Sequence, residues 1–253
     1  MLTPSTRRHV LVTGGARRLG ASIARALAAD GWRVVIHYGR SADEARTLAA
    51  ALDGVAIQGD LADAAGATAL FARARAAAGG PIAALVNSAS SFEYDRPEAI
   101  DGALAARLHI VNAVTPAMLA AALAAQDDID DGAVVNLLDQ KLANPNPDFF
   151  SYSLSKYALA GATEMLAQAL GPKVRVNAVA PGITLPSGDQ SEAEFARVAA
   201  DNLLRRPVGA ENVAEAVAYL LGARSVTGQT VYVDCGQRFV RRDGDVMFEG
   251  RDG

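Results

Sequence analysis

Seven short stretches of almost unbroken apolar residues recur along the chain: "HVLVTG", "RVVIHY", "GVAIQGD", "AALVNSA", "GAVVNLLD", "VRVNAVAPG" and "QTVYVDCG". Between them lie alanine- and leucine-rich segments such as "RLGASIARALAADG", "SADEARTLAAAL" and "ADAAGATALFARARAAAG", in which apolar residues return every three or four positions. The longest is "AIDGALAARLHIVNAVTPAMLAAALAA". That return predicts helices, while runs apolar at every position predict strands covered on both faces, as in a parallel sheet. About seven strands alternating with helices predict one doubly wound α/β domain over residues 1–253, a central seven-stranded parallel sheet with helices on both faces. Two segments break the rhythm. Residues 183–206, "ITLPSGDQSEAEFARVAADNLLRR", predict a loop and extra helix that could cover a site. The tail 238–253, "RFVRRDGDVMFEGRDG", suits either a small hairpin around Asp243-Gly244 or a frayed end.

Composition narrows the function. Against 24 Lys+Arg stand 28 Asp+Glu, a net charge of −4, and the basic clusters are pairs. A nucleic-acid binder normally carries a basic stripe, so none is expected as partner. The single cysteine, Cys235, suits a reducing compartment. The N-terminus lacks a signal peptide's apolar core, and no uninterrupted apolar run reaches a membrane span. These features predict a soluble cytoplasmic protein without a membrane partner.

The first strand runs into "GGARRLG" and a helix. Gly14, Gly15 and Gly20 would let backbone approach a pyrophosphate at the helix's positive end. An ordinary strand–helix turn could carry the same glycines. Dinucleotide folds that bind NAD place an acid after the second strand, on the ribose 2′-hydroxyl. Here that strand ends "VVIHYGRS", with no carboxylate before Asp43. His37, Arg40 and Ser41 offer donors to a 2′-phosphate instead, with Arg40 as the charged fork and Arg17 or Arg18 in support. Arg40 alone would read as a solvated surface residue; together these features predict NADP(H). Farther on, Tyr152 and Lys156 stand four apart, one turn apart on a helix face. A lysine there could lower the phenol's pKa and make it a usable acid near neutral pH.

"TGGARRLG", "NSAS", Asn112, Tyr152-x3-Lys156 and "VNAVAPG", in this order, resemble the short-chain dehydrogenase/reductase family from His9 to Gly236. The resemblance implies a Rossmann fold, a nicotinamide cofactor and a homotetramer. It implies Tyr152 as proton donor and Lys156 as the group that holds the nicotinamide ribose and depresses the tyrosine's pKa. It also makes Asn112 the holder of a relay water, Pro181-Gly182 with Ile183 the cover of the nicotinamide, and Asp60-Leu61 the adenine contact. Gly14, Leu19, Gly20, Tyr38, Asn87, Ala89 and Ser90 complete the implied cofactor set. Three departures stand out: Arg18 replaces the loop's middle glycine, "NNAG" becomes "NSAS", and Asp139 takes the place of the catalytic serine thirteen residues before the tyrosine. All three resemble the pteridine reductase branch, as do "HYGRS" and Ala89-Ser90-Ser91-Phe92; bacterial dihydromonapterin reductases are similar as well.

The aspartate changes the expected chemistry. Beside a ketone, a serine hydroxyl donates to the oxygen that gains charge, whereas an ionised carboxylate can only accept and repels it. A pterin C=N bond needs a proton on ring nitrogen, and its flanking N–H groups want an acceptor. A carboxyl that exchanges protons with Tyr152 meets both needs. Asp139 could also simply cap a turn after the fifth strand. Phe92 would stack on the flat ring against the nicotinamide, unless it is a core residue. Arg18 and Ser90 would then bond the ring's amino-oxo edge and the cofactor phosphates, and Phe149 and Phe150 would pack at the rim or at a subunit contact. The expected function is NADPH-dependent pteridine reduction; a generic carbonyl or 3-oxoacyl reductase and a non-catalytic NADP sensor are the rivals.

Overall fold

The computed structural model describes residues 8–186 and 192–245. Strands β1 (His9–Thr13), β2 (Arg33–Tyr38), β3 (Val55–Gln58), β4 (Ile82–Asn87), β5 (Gly132–Leu137), β6 (Val174–Pro181) and β7 (Thr230–Val233) form one sheet in the order β3-β2-β1-β4-β5-β6-β7. Every pairing is parallel. The unbroken apolar runs follow from this: Val10, Val12, Val34, Ile36, Ala84 and Val86 face one core, while Leu11, Val35 and Leu85 face the other. Helices α1 (Arg18–Ala29) and α2 (Ala42–Ala51) fill the first face, together with a later helix, Ala210–Gly222. The second face takes α3 (Ala67–Ala78) and the helices that follow β4 and β5. Strand order reverses between β1 and β4, and in such sheets ligands bind beyond the strands' carboxyl ends at that point.

The longest predicted helix is broken in two. α4 (Gly102–His109) runs through a π-helical turn, Ile110–Val114, into α5 (Thr115–Ala124). The combined stretch Gly102–Ala124 is long and apolar enough for a membrane span, with a mean hydropathy of 1.3. It is nevertheless a core helix: Leu108, Leu119 and Leu123 are fully buried, and Arg107 pairs with Glu93 at 2.8 Å. α6 (Phe150–Leu170) follows β5, and the extra helix predicted after β6 is α7 (Glu192–Ala199), ahead of α8 (Ala210–Gly222). Residues 187–191 of the loop before α7 lie outside the described part.

The tail is neither hairpin nor frayed end as far as Asp245; residues 246–253 lie outside the described part. After a 3₁₀ turn at Gln237–Phe239 it runs back across the carboxyl end of the sheet. Asn144 Nδ2 donates to the Val240 carbonyl (2.7 Å) and Asn146 Nδ2 to the Gly244 carbonyl (3.1 Å). Asp245 N donates to Asp148 Oδ2 at 2.8 Å, and Arg242 pairs with Asp201.

Candidate active site

Backbone geometry shapes the loop after β1. Gly14 has φ +62, and a Cβ there would lie 2.8 Å from Ala89 Cα; at Gly20 it would lie 2.2 Å from the Gly14 carbonyl oxygen. Only glycine fits such approaches. Thr13 Oγ1 accepts from both Ser88 N and Ala89 N at 3.1 Å, which ties this loop to the one after β4. Arg18, where the family's glycine stands, still takes the left-handed conformation (φ 51), unfavourable for a side chain. Its guanidinium reaches across to the Pro186 carbonyl at 2.5 Å.

A cleft of about 790 Å³ opens on the β1–β2–β3 side, lined by Gly14, Arg40, Asp60, Leu61, Ala89 and Ser90 among others. Several expected cofactor residues are placed differently. His37 is buried: Nδ1 accepts from Gly14 N (3.2 Å) and Nε2 contacts the Gly59 carbonyl (3.2 Å), so the ring is neutral with its proton on Nε2. Burial takes its pKa from 6.5 down to about 4, and both nitrogens are committed, so His37 lines the cleft and braces the glycine loop with no donor left for a phosphate. Tyr38 packs into the first core. Arg17 is exposed and pairs with Glu44 at 3.7 Å, away from the cleft. Ser41 occupies the N-cap position of α2 outside the lining. Asn87 is buried, bonding Asn136 Oδ1 at 2.8 Å. Two guanidiniums that the sequence did not single out, Arg73 and Arg107, line this cleft. Arg107 is engaged by Glu93, whereas Arg73 donates to the Gln58 carbonyl at 2.8 Å.

The second cleft, about 520 Å³, gathers Arg18, Leu19, Ser90, Phe92, Asp139, Tyr152, Lys156 and the loop Pro181-Gly182-Ile183. Asp139 does both things the sequence left open. Oδ1 caps the turn at Gln140–Leu142 by accepting from Lys141 N (2.9 Å), and Oδ2 accepts from the Tyr152 hydroxyl (2.9 Å). Lys156 Nζ donates to the Leu137 carbonyl at 2.8 Å and lies 5.6 Å from the Tyr152 ring centroid.

The electrostatics differ from the expectation. Burial, and then the Asp139 charge and hydrogen bond, hold the Tyr152 phenol well above its ordinary value. Burial raises Asp139 against the opposing pull of the Lys141 N–H, Tyr152 and Lys156. Burial also brings Lys156 down from 10.5 to about 8, with Asp139 opposing. Tyr152 is therefore a proton holder, not a ready phenolate.

Asn112 sits in the π turn with its side chain saturated. Nδ2 donates to the Ser91 carbonyl and Ser155 Oγ (both 2.9 Å), while Oδ1 accepts from Ser91 N (2.8 Å) and Ser90 Oγ (3.2 Å). It clamps the β4 loop to α6, and its amide has no bond left for a relay water. The same loop is pinned again by Asp95, which accepts from Ser151 N (2.9 Å) and Ser151 Oγ at the start of α6. Phe92 stacks on Phe149 (centroids 4.1 Å, 17°) and meets Tyr152 edge-on at 4.7 Å. Phe149 is buried behind Phe92 in a left-handed conformation (φ 53).

Residues 14–238 match the family model described as enoyl-(acyl carrier protein) reductase. Over 292 aligned residues the chain is 32% identical to pteridine reductase 1 of Leishmania tarentolae, covering 95% of this chain and 100% of that one. To the 3-oxoacyl-[acyl-carrier-protein] reductase of Staphylococcus aureus it is 29% identical over 250 residues, covering 90% and 97%. Among solved structures, alternative dihydrofolate reductase 1 (FolM) from Brucella canis, complexed with NADP, superposes with a TM-score of 0.88 at 41% identity, covering 93% of this chain and 95% of that one.

Proposed function

Because the chain belongs to the short-chain dehydrogenase/reductase family, we propose that this NADP-dependent oxidoreductase reduces a C=N bond of a dihydropterin. The observation that carries the reading is the Tyr152–Asp139 bond of 2.9 Å in a cleft that also holds the Phe92 ring. The nucleotide loop suits a dinucleotide, since the positions where a side chain would block close approach are glycines beside the α1 N-terminus. Arg40, which makes no ion pair among the described residues, is the guanidinium we assign to the 2′-phosphate. NADPH, when bound, supplies the hydride.

The chain's own groups manage the proton. At neutral pH Tyr152 remains a neutral phenol. With a proton on Asp139, the carboxyl donates to the phenol oxygen and frees the Tyr152 O–H to point at the ring nitrogen. As that nitrogen takes the phenolic proton, the proton on Asp139 moves to the tyrosine oxygen, so no phenolate accumulates in a buried site. Asp139 is then reprotonated through the open cleft. Lys156, largely protonated below pH 8, compensates the carboxylate that forms, and we assign it the nicotinamide ribose. The free face of Phe92 stacks the bicycle, with Phe149 backing the other face.

The ketone reading keeps support from the 3-oxoacyl reductase relative, and a protonated Asp139–Tyr152 relay would serve an alkoxide oxygen as well as a ring nitrogen. The deciding assay follows NADPH oxidation with dihydrobiopterin, dihydromonapterin, dihydrofolate and a 3-oxoacyl thioester. Turnover of a dihydropterin is expected; turnover of the thioester alone overturns the proposal. The same reading carries a cytoplasmic homotetramer, checked by light scattering of the purified protein.

A further inference from the structure

Resting on that reading, the geometry points to a hydrogen-bonding subsite for the substituent on the reacting carbon. It is built from Gln140, Lys141 and the tail residue Asp245, and it selects a hydroxylated side chain over an alkyl or arylamide one. In a 7,8-dihydropterin the remaining C=N bond takes hydride at the carbon that bears the side chain and a proton at the adjacent nitrogen. The side chain therefore begins one bond from the atom facing Tyr152 and must enter the part of the cleft beside the Tyr152–Asp139 pair. That part is the Gln140–Leu142 turn and the returning tail.

Three groups there ask for a hydroxyl. Gln140 Oε1 is buried and has no hydrogen-bond partner, an acceptor whose lost hydration only an incoming donor restores. Lys141 is buried; its ammonium donates to the Asp148 carbonyl (2.5 Å) and meets Asp245 Oδ2 at 3.3 Å. With three N–H groups it keeps a donor beyond those two contacts. Asp245 brings a carboxylate, and the tail's bonds to Asn144, Asn146 and Asp148 fix its place. A hydroxyl both donates and accepts, so it answers Gln140 and Asp245 on one side and Lys141 on the other. A methyl or aryl group answers none of them.

The test compares 7,8-dihydropterins that carry a methyl or a dihydroxypropyl group at the reacting carbon, together with 7,8-dihydrofolate, by initial rates of NADPH oxidation. The wild type is expected to show a KM about tenfold lower for the hydroxylated substrate than for the other two, and Gln140→Met and Asp245→Asn each to bring that ratio below about threefold. Fluorescence titration with NADPH verifies that each variant is folded; the wild-type ratio decides by itself if one is not. Equal KM values in the wild type, a preference for dihydrofolate, or parallel changes for all substrates in the variants overturn the subsite while leaving pterin reduction intact. No turnover of any dihydropterin overturns both.

Discussion

His37 links acid stability to the nucleotide loop. Its imidazole is buried and neutral, bonded on both sides to backbone of β1's loop and of the segment after β3. Above pH 6.5 the ring is unprotonated in folded and unfolded chains alike. As pH falls from 6.5 toward 4, the unfolded chain takes up a proton that the folded chain refuses, so stability falls with pH across that window. The full displacement, from 6.5 to about 4, corresponds to ~3 kcal/mol, of which about 2 kcal/mol is lost by pH 5. His37→Gln keeps a donor for the Gly59 carbonyl and removes the titration. Urea unfolding of both proteins at one fixed concentration, between pH 8 and 4.5, isolates the effect in the difference between the two curves. The wild type should lose ~2 kcal/mol more than the variant between pH 8 and pH 5. Parallel curves would refute the assignment of a neutral, doubly bonded ring.

Three substitutions test the site itself. Asp139→Ser should cut dihydropterin turnover at least about 100-fold, the usual scale for a lost proton donor, with the NADPH Kd held within about twofold; retained turnover would remove Asp139 from the proton relay. Arg40→Ala should weaken NADPH roughly tenfold or more and leave NADH binding alone, as expected for loss of a charge-assisted bond; equal effects on both nucleotides would move the phosphate site elsewhere. Phe92→Ala should raise the dihydropterin KM about 2–13-fold through lost stacking of ~0.5–1.5 kcal/mol; an unchanged KM would remove Phe92 from the substrate face.

The sheet was readable because its central strands are apolar on both faces, and because punctuation by glycine and polar residues separates strands from helices. The break between α4 and α5 was not, since a π turn adds one residue to a helical turn without interrupting its apolar recurrence. Tyr152, Lys156 and Asp139 come together because one helix turn and one strand end are local geometry. Tyr38 could have been placed by strand alternation: Val34, Ile36 and Tyr38 share a face, which the first core fills. The commitments of His37, Asn87 and Asn112 arise from partners that are remote in sequence and met only in the folded chain. The same holds for Arg73, for Asp95 at the head of α6, and for the tail's return to Asn144 and Asn146.

The path of residues 240–245 has a consequence for how the molecule comes into being. A ribosome releases the glycine loop near residue 14 long before it finishes the stretch that lies over Asn144 and Asn146. The glycines of the nucleotide loop pack against Ala89 and against one another, whereas this stretch supplies Arg242 and Asp245 to the lining of the second cleft. Fusion partners or proteolytic nicks at this end should consequently alter which molecule is consumed before they alter whether the protein folds.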